Sequence, residues 1–197
     1  MSAVSIAEAW PTRGQPFTVH DLDKLPDDGR RYELLDGVLV VSPRPTTVHQ
    51  LAAMRLTTLL ENARPDDLCV LPEPALQLSA DTEFDPDVVV VQWDDVGGPK
   101  LTRPPLLVVE VRSPRTALID LNRKMTAYQT FGVISYWIVD PDPQLPSLTV
   151  FELDDGRYAQ PIRVEGGDVL RAEQPFPVEI TPAKLLAGLH TPPRADR

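Results

Sequence analysis

Short apolar runs separated by proline, glycine and acidic residues predict strands and helices along most of the chain. The pattern over residues 18–25 predicts a short helix with Thr18 as its N-cap. The β-rich runs at 31–35 and 38–42 then flank Asp36-Gly37, a dipeptide typical of a two-residue type I′ turn. The folded part of the chain is therefore expected to begin with a helix and a β-hairpin.

Helical spacing is clearest between residues 47 and 62, where Pro65 ends the pattern. Short strands are expected next, at 68–71, 75–78, 87–91 and 106–111. The last two runs are almost continuously apolar, which is typical of central strands that are covered on both faces.

The remaining pattern predicts a second long helix, a buried strand, a second hairpin and a short final helix. The long helix follows residues 113–116 and runs to about Thr130, where Gly132 is well placed to end it. The other elements are the strand 135–139, the hairpin of 147–153 with 157–162 across Asp154-Asp155-Gly156, and the helix 181–186. Together these elements predict an α/β chain of mixed α+β organisation.

Length and composition favour one globular domain. The chain has 197 residues, of which 42% are hydrophobic and 24% charged, enough for one well-buried core. Its 22 prolines lie mostly between apolar runs and therefore mark loops. We expect an irregular segment at 1–17, the folded domain at 18–186 and a flexible tail at 187–197.

Charge and targeting signals bear on the location and the partner. No apolar stretch approaches the roughly 20 residues that span a bilayer, and the chain start lacks a signal-peptide pattern. The single cysteine, Cys69, lies in an apolar run and fits a reducing cytoplasm. The net charge of −10 argues against broad affinity for nucleic acid, although a basic cluster and a divalent cation can offset it at one cleft. We expect a cytoplasmic protein with no membrane partner.

Two acidic residues interrupt the central apolar runs. Asp87 opens the run 88–91, and Glu110 lies near the end of the run 106–111. If the two strands are neighbours, both carboxylates can bind one divalent cation, because Mg²⁺ prefers carboxylate oxygens and water. On the two acids alone, a structural interpretation is favoured, in which Asp87 caps a loop and Glu110 pairs with an arginine.

Lys124 lies at the border of the apolar stripe of the second long helix, with Arg123 on the opposite side. The stripe consists of Leu118, Leu121, Met125 and Tyr128. From this border a lysine can lay its stem along the sheet and present its ammonium group beside the acids. Its removal is expected to open no core cavity and to leave the fold intact. The alternative is an ordinary surface lysine paired with Asp120.

The order of these motifs resembles the Uma-two family of restriction-endonuclease-like proteins, over roughly residues 18–186. The family belongs to the PD-(D/E)XK nuclease superfamily. The resemblance implies a mixed central sheet flanked by helices, with a hairpin near its start, and Mg²⁺-dependent hydrolysis of phosphodiester bonds. In chain order, the motifs that carry the resemblance are Tyr32–Gly37, Ser42-Pro43, His49, Pro86–Val88, Val109–Pro114, Asp120, Lys124, Tyr128, Gly132-Val133 and Tyr136–Pro141.

The resemblance implies that Asp87 and Glu110 are metal ligands. The superfamily pattern expects a lysine two residues after the second acid, where this chain has Arg112. Arginine stays protonated and cannot act as a base near neutral pH. Lys124 matches the lysine of the related family, so the predicted catalytic residues are Asp87, Glu110 and Lys124, with Arg112 as a phosphate contact.

Two further residues match the family. Glu33 is expected to complete the acidic cluster as a third metal ligand or to hold metal-bound water; an exposed strand glutamate is the alternative. His49 is a candidate for substrate binding, and the alternative is a hydrogen-bonding residue at the end of a helix.

The leading hypothesis is therefore a Mg²⁺- or Mn²⁺-dependent endonuclease that acts on DNA as a homodimer. The alternative is a catalytically weak or inactive dimeric module on the same fold that binds nucleic acid or protein. Convergence of Asp87, Glu110 and Lys124 in a concave site would favour the enzyme, and wide separation would favour the binding module.

Overall fold

The computed structural model describes residues 15–26, 28–42, 44–112 and 118–189. Within these residues, seven strands form the main sheet. They are β3 (Leu68–Pro72), β6 (Val88–Gln92), β7 (Leu107–Val111), β8 (Ser135–Asp140), β9 (Ser147–Asp154), β10 (Arg157–Tyr158) and β11 (Ile162–Glu165). Their order in the sheet is β10-β9-β8-β7-β6-β3, and β11 also pairs with β9. β7 and β8 run parallel and the other pairs antiparallel, so the sheet is mixed.

Helices cover the main sheet on both faces. α2 (Thr47–Ala63) packs its buried side chains against one face, through Leu56 and Leu60. α3 (Leu118–Phe131) covers the other face, where Tyr128 lies among Val89 and Val108. The continuous apolar runs of β6 and β7 follow from this arrangement, because alternate side chains enter different cores. The predicted fold class, a mixed central sheet flanked by helices, is confirmed.

A second, smaller sheet is built on the N-terminal hairpin. It has the order β2-β1-β5-β4, with β1 (Arg31–Leu35), β2 (Val38–Ser42), β4 (Leu76–Gln77) and β5 (Glu83–Phe84). Asp36 and Gly37 have φ angles of +49° and +74°, and Leu35 pairs with Val38, as a two-residue type I′ turn requires. β5 pairs with β1 and leads directly into Asp85 and Asp87. The hairpin is thereby tied to the segment that carries the first predicted metal ligand.

The remaining elements are short. α1 (Val19–Leu22) has one turn, with Thr18 as N-cap in a capping box. β12 (Leu170–Ala172) pairs with β13 (Val178–Ile180), and α4 (Pro182–Leu185) follows. No helix in the described part of the chain combines the length and the apolar character needed to cross a membrane.

The sequence prediction was wrong in several details. The predicted helix 18–25 is only one turn, and the strand 157–162 is divided, because Ile162–Glu165 pairs with a different part of β9. Pro161, which has no N–H to donate, lies at the division. The strands β5, β12 and β13 were not predicted, since two or three residues are too few to show alternation.

Some predictions fall outside the described residues. These are the segment 113–116 before α3, the side chains of Leu118, Asp120 and Leu121, and most of the two expected terminal segments. The expected domain limits at 18 and 186 stay a prediction.

Candidate active site

Asp87 and Glu110 lie on neighbouring strands, as the nuclease hypothesis requires. Val88 of β6 pairs with Val109 of β7, and the two strands are antiparallel. Asp87, which precedes Val88, therefore lies opposite Glu110, which follows Val109. Asp87 is 2% exposed and Glu110 is 6% exposed. The backbone N–H of Val111 donates to Oδ2 of Asp87 at 2.6 Å, so the strand that carries Glu110 also holds Asp87.

Lys124 projects from α3 between two of the acids. Its Nζ donates to Oε1 of Glu33 at 2.7 Å and to Oε1 of Glu110 at 3.1 Å. Tyr128, one turn later on the same helix, donates its hydroxyl to the same Glu110 oxygen at 2.7 Å. The surface alternative for Lys124 is wrong, because the residue is 6% exposed, and Glu33 is likewise buried rather than exposed. Tyr128 had been expected only as part of the apolar stripe.

Arg31 enters the cluster from β1 and was not singled out by the sequence. Its Nη1 donates to Oδ1 of Asp87 at 3.2 Å. Its Nε lies 3.9 Å from Oδ2 of Asp85 and 4.0 Å from Oε1 of Glu33. The signal that could have found it is alternation, since residues 31 and 33 of one strand share a face. Asp85 also becomes a member of the cluster, and its backbone N–H donates to Glu33.

His49 reaches the cluster from the first turn of α2. Its Nε2 lies 3.2 Å from Oδ2 of Asp87, while its backbone N–H donates to the Thr46 hydroxyl that caps the helix. The backbone of this histidine therefore takes part in capping the helix, its side chain joins the acidic cluster, and substrate binding by His49 stays a prediction. A cavity lined by His49, Asp87, Pro72 and Glu73 opens beside this pair, so the cluster borders a concave surface.

Arg112 is directed elsewhere. Its guanidinium pairs with Asp140 at the end of β8. The pair lines a neighbouring cavity of about 470 Å³ together with Thr46 and Pro141. Of the six predicted site residues, Asp87, Glu110, Lys124, Glu33 and His49 come together, and Arg112 does not.

Burial and charge set the protonation of the cluster. Burial raises the pKa of Glu110 to about 7, because Lys124 only partly compensates for it. Burial likewise raises the pKa of Asp85 to about 6, against the opposing effect of Arg31. Burial also acts to raise the pKa of Asp87, but His49, Arg31 and the Val111 N–H outweigh it and leave the pKa below its ordinary value.

Lys124 keeps its proton in this arrangement. Burial alone would lower the pKa of Lys124, but the carboxylates of Glu110 and Glu33 more than offset burial and raise it. The raised pKa of Lys124 opposes a role as a base in this arrangement of charges. Its chemistry is that of a fixed positive charge.

The donor chemistry fits a divalent cation. Four carboxylates, those of Glu33, Asp85, Asp87 and Glu110, face two permanent cations, Arg31 and Lys124. No three His, Cys, Asp or Glu side chains among the described residues are arranged to hold a metal ion. Mg²⁺, however, commonly takes only one or two carboxylates and completes its shell with water and substrate phosphate.

Comparison with known proteins agrees with this chemistry. A family model with the description "Uma2: Putative restriction endonuclease" matches residues 19–187. The chain belongs to the Uma2 family. This membership supports a nuclease, in a family whose wider class uses divalent metals. No curated protein matches the chain.

A solved structure shows the same fold. The crystal structure of a "putative nuclease belonging to DUF820" from Anabaena variabilis is similar, with a TM-score of 0.69 and 17% sequence identity. The match covers 89% of this Uma2 chain and 94% of that chain. At this identity the likeness is one of fold alone.

Proposed function

We propose that this Uma2 protein is a divalent-cation-dependent endonuclease that hydrolyses phosphodiester bonds of DNA. The observation that carries the proposal is the convergence of Asp87, Glu110, Glu33 and Lys124 beside a concave surface. These residues come from β1, β7, α3 and the segment before β6. Lys124 contacts two of the three buried acids, Glu33 and Glu110, and Asp87 lies on the neighbouring segment. Burial of this many charges is costly, which favours a functional role over a purely structural ion pair.

Asp87 and Glu110 would hold the cation, as Mg²⁺ or Mn²⁺, with water in the remaining positions. The cation, when bound, supplies a Lewis acid and lowers the pKa of a bound water. Glu33 accepts from Lys124 and from the Asp85 N–H. We therefore assign Glu33 to positioning Lys124 or holding water, in place of direct coordination.

The protein's own side chains orient the reacting groups. Lys124 holds a positive charge beside the carboxylates, where it can stabilise charge that develops on the phosphate. Tyr128 occupies one oxygen of Glu110 and so fixes the direction of the other. His49 holds Asp87 on the side that borders the cavity, and substrate binding by His49 stays part of the proposal. A phosphate contact by Arg112 would have to be made from the neighbouring cavity.

One observation favours the alternative, a catalytically weak or inactive binding module. Arg31 and Lys124 already neutralise part of the acidic cluster, as they would in a purely structural network. The net charge of −10 further opposes general affinity for DNA. The cytoplasmic location and the homodimer stay predictions under either function.

A DNA cleavage assay distinguishes the endonuclease from the binding module. Supercoiled and single-stranded DNA are incubated with Mg²⁺ or Mn²⁺, and the reaction is repeated with a chelator. The wild-type protein should cleave only with the cation, and Asp87→Asn and Glu110→Gln should not cleave. Asp66→Asn, which changes an exposed carboxylate in the loop after α2, is the matched control and should cleave normally. Absence of wild-type cleavage, with DNA binding retained, would favour the binding module.

A further inference from the structure

Arg31 contacts Asp87, one of the two acids proposed to hold the cation, and lies close to Asp85 and Glu33. Its side chain is 21% exposed, so it is accessible from one side while its guanidinium is directed inward. Nη1 contacts Asp87, and Nη2 is buried with no hydrogen-bond partner among the described residues. Nη1 therefore has a hydrogen-bond acceptor, whereas Nη2 has none among the described residues.

The two oxygens of Asp87 have different partners. Oδ2 is close to the Val111 N–H and to His49 Nε2. Oδ1 accepts from Arg31. A cation that binds Asp87 therefore competes with Arg31 for Oδ1 or displaces the two groups that hold Oδ2. At Asp87, displacement of Arg31 breaks one hydrogen bond, whereas displacement of the groups at Oδ2 breaks two contacts.

We propose that Arg31 is the internal counterion of the cation site, and that it leaves Asp87 when the cation binds and then contacts a phosphate of the substrate. This inference rests on the proposed function. The exchange keeps every charged group paired, since the divalent cation replaces the guanidinium beside the acids and a phosphate replaces the acids beside the guanidinium. The planar fork of arginine suits both partners, because carboxylate and phosphate each present two oxygens at similar spacing. The buried, unpaired Nη2 gains an acceptor in the second state.

The first test measures Mn²⁺ affinity without nucleic acid, from the electron paramagnetic resonance signal of free Mn²⁺. Arg31→Gln should bind Mn²⁺ about tenfold or more tightly than wild type, the ratio expected when no charge-assisted hydrogen bond has to be broken. Arg30→Gln is the matched control, because Arg30 is its exposed neighbour, pairs with Asp28, and carries the same charge. The control should keep wild-type affinity.

Arg31→Lys is a second variant that keeps the test possible if Arg31→Gln does not fold. It keeps the positive charge but not the fork, so its Mn²⁺ affinity should lie between those of wild type and Arg31→Gln. If neither variant binds Mn²⁺ more tightly than wild type does, the inference is overturned. If wild type binds no Mn²⁺, or if Asp87→Asn binds it equally well, the proposed cation site itself fails, and the inference fails with it.

The second test addresses the phosphate. Binding of a fluorescent DNA duplex is measured by anisotropy, once with Ca²⁺ in place of Mg²⁺ and once with chelator. Arg31→Gln should weaken DNA binding in Ca²⁺ and change it little in chelator, because the arginine is released only by the cation. Equal weakening in both conditions, or none, would overturn the exchange. If wild-type protein fails to bind DNA in either condition, DNA as substrate is overturned together with the phosphate contact.

Discussion

At the residue scale, each acid of the candidate site has its own combination of partners, and these partners influence its chemistry. Asp87 is ionised beside Arg31 and His49, whereas burial raises the pKa of Glu110 to about 7. Two carboxyls on adjacent strands thus differ in their tendency to bind protons. The difference arises because burial dominates at Glu110, whereas His49, Arg31 and the Val111 N–H outweigh burial at Asp87.

Loss of Lys124 should affect turnover more than loss of Arg112. Lys124→Met removes the ammonium but keeps an apolar stem, and kcat should fall by at least about 100-fold if the charge acts chiefly in the transition state. Arg112→Met should mainly raise KM, because Arg112 lies in the neighbouring cavity. Steady-state kinetics on a DNA substrate with Mg²⁺ measure both constants.

Both variants must be shown to fold before their kinetic constants are compared. Lys124 is buried between two carboxylates, so its removal should cost about 3–5 kcal/mol of stability, in contrast to the intact fold expected from sequence. Kinetics are therefore compared at a temperature where circular dichroism shows both variants folded. Wild-type turnover by folded Lys124→Met, with an inactive Arg112→Met, would contradict the assignment of Lys124.

Stability of the cation-free protein should decrease as pH rises towards neutrality. Glu110 has a raised pKa in the folded state, so the folded state holds this proton more strongly than the unfolded state. Its contribution is complete below the ordinary pKa of about 4.5 and is lost as pH rises through about 7, on the order of 2–3 kcal/mol. Asp85, whose pKa is raised to about 6, acts in the same direction.

Urea denaturation across this pH range, with chelator present, measures the effect. Glu110→Gln should reduce the loss of unfolding free energy with pH, because the amide does not titrate. Glu173→Gln, which changes an exposed glutamate, should show the wild-type slope. An unchanged slope in Glu110→Gln would contradict the raised pKa of Glu110.

At the element scale, the N-terminal hairpin positions two residues of the candidate site. β1 carries both Arg31 and Glu33, and its register is fixed by the Asp36-Gly37 turn. A shift by one residue would exchange the two faces of the strand and remove both side chains from the cluster. The hairpin therefore places two members of the proposed site in addition to its packing.

Gly37→Ala should damage this hairpin more than the same change damages the other Asp-Gly turn. Both glycines have positive φ angles, +74° at Gly37 and +76° at Gly156, so each substitution should cost about 1 kcal/mol of strain. At Gly37 the added Cβ would also meet the Cβ of Pro16 at 2.5 Å, whereas nothing lies within 4 Å at Gly156.

Thermal denaturation and Mn²⁺ affinity measure the difference. We expect Gly37→Ala to have the lower melting temperature and the weaker Mn²⁺ binding, and Gly156→Ala to bind Mn²⁺ normally. Equal losses of stability in the two variants would show that the contact with Pro16 is easily relieved.

At the scale of the whole molecule, one chain carries one candidate site, whereas a DNA duplex has two strands. We predict a homodimer, because a second copy related by a twofold axis would present a second site to the other strand. Light scattering at micromolar concentration should give twice the monomer mass of 21.8 kDa. A mass near that of the monomer, with or without DNA and Ca²⁺, would contradict the prediction.

The sequence by itself determined the elements with strong local signals. The apolar runs of β6 and β7 indicate central strands because only a strand covered on both faces tolerates such continuity. The hairpin was correct because Asp-Gly selects its turn. Asp87 and Glu110 stood out because charges that interrupt apolar runs need partners, whereas Lys124 was assigned through the family resemblance.

Only the tertiary structure decided which partners these charges have. Arg31 and Asp85 lie on or near strands whose pairing through β5 is too short to show a sequence pattern. Arg112 follows Glu110 by two positions, yet it pairs with Asp140, while Lys124 reaches Glu110 from α3. Local sequence fixes which side chains are charged and which backbone is extended. Long-range packing fixes which charges meet, because their distance depends on how the two sheets and both long helices assemble.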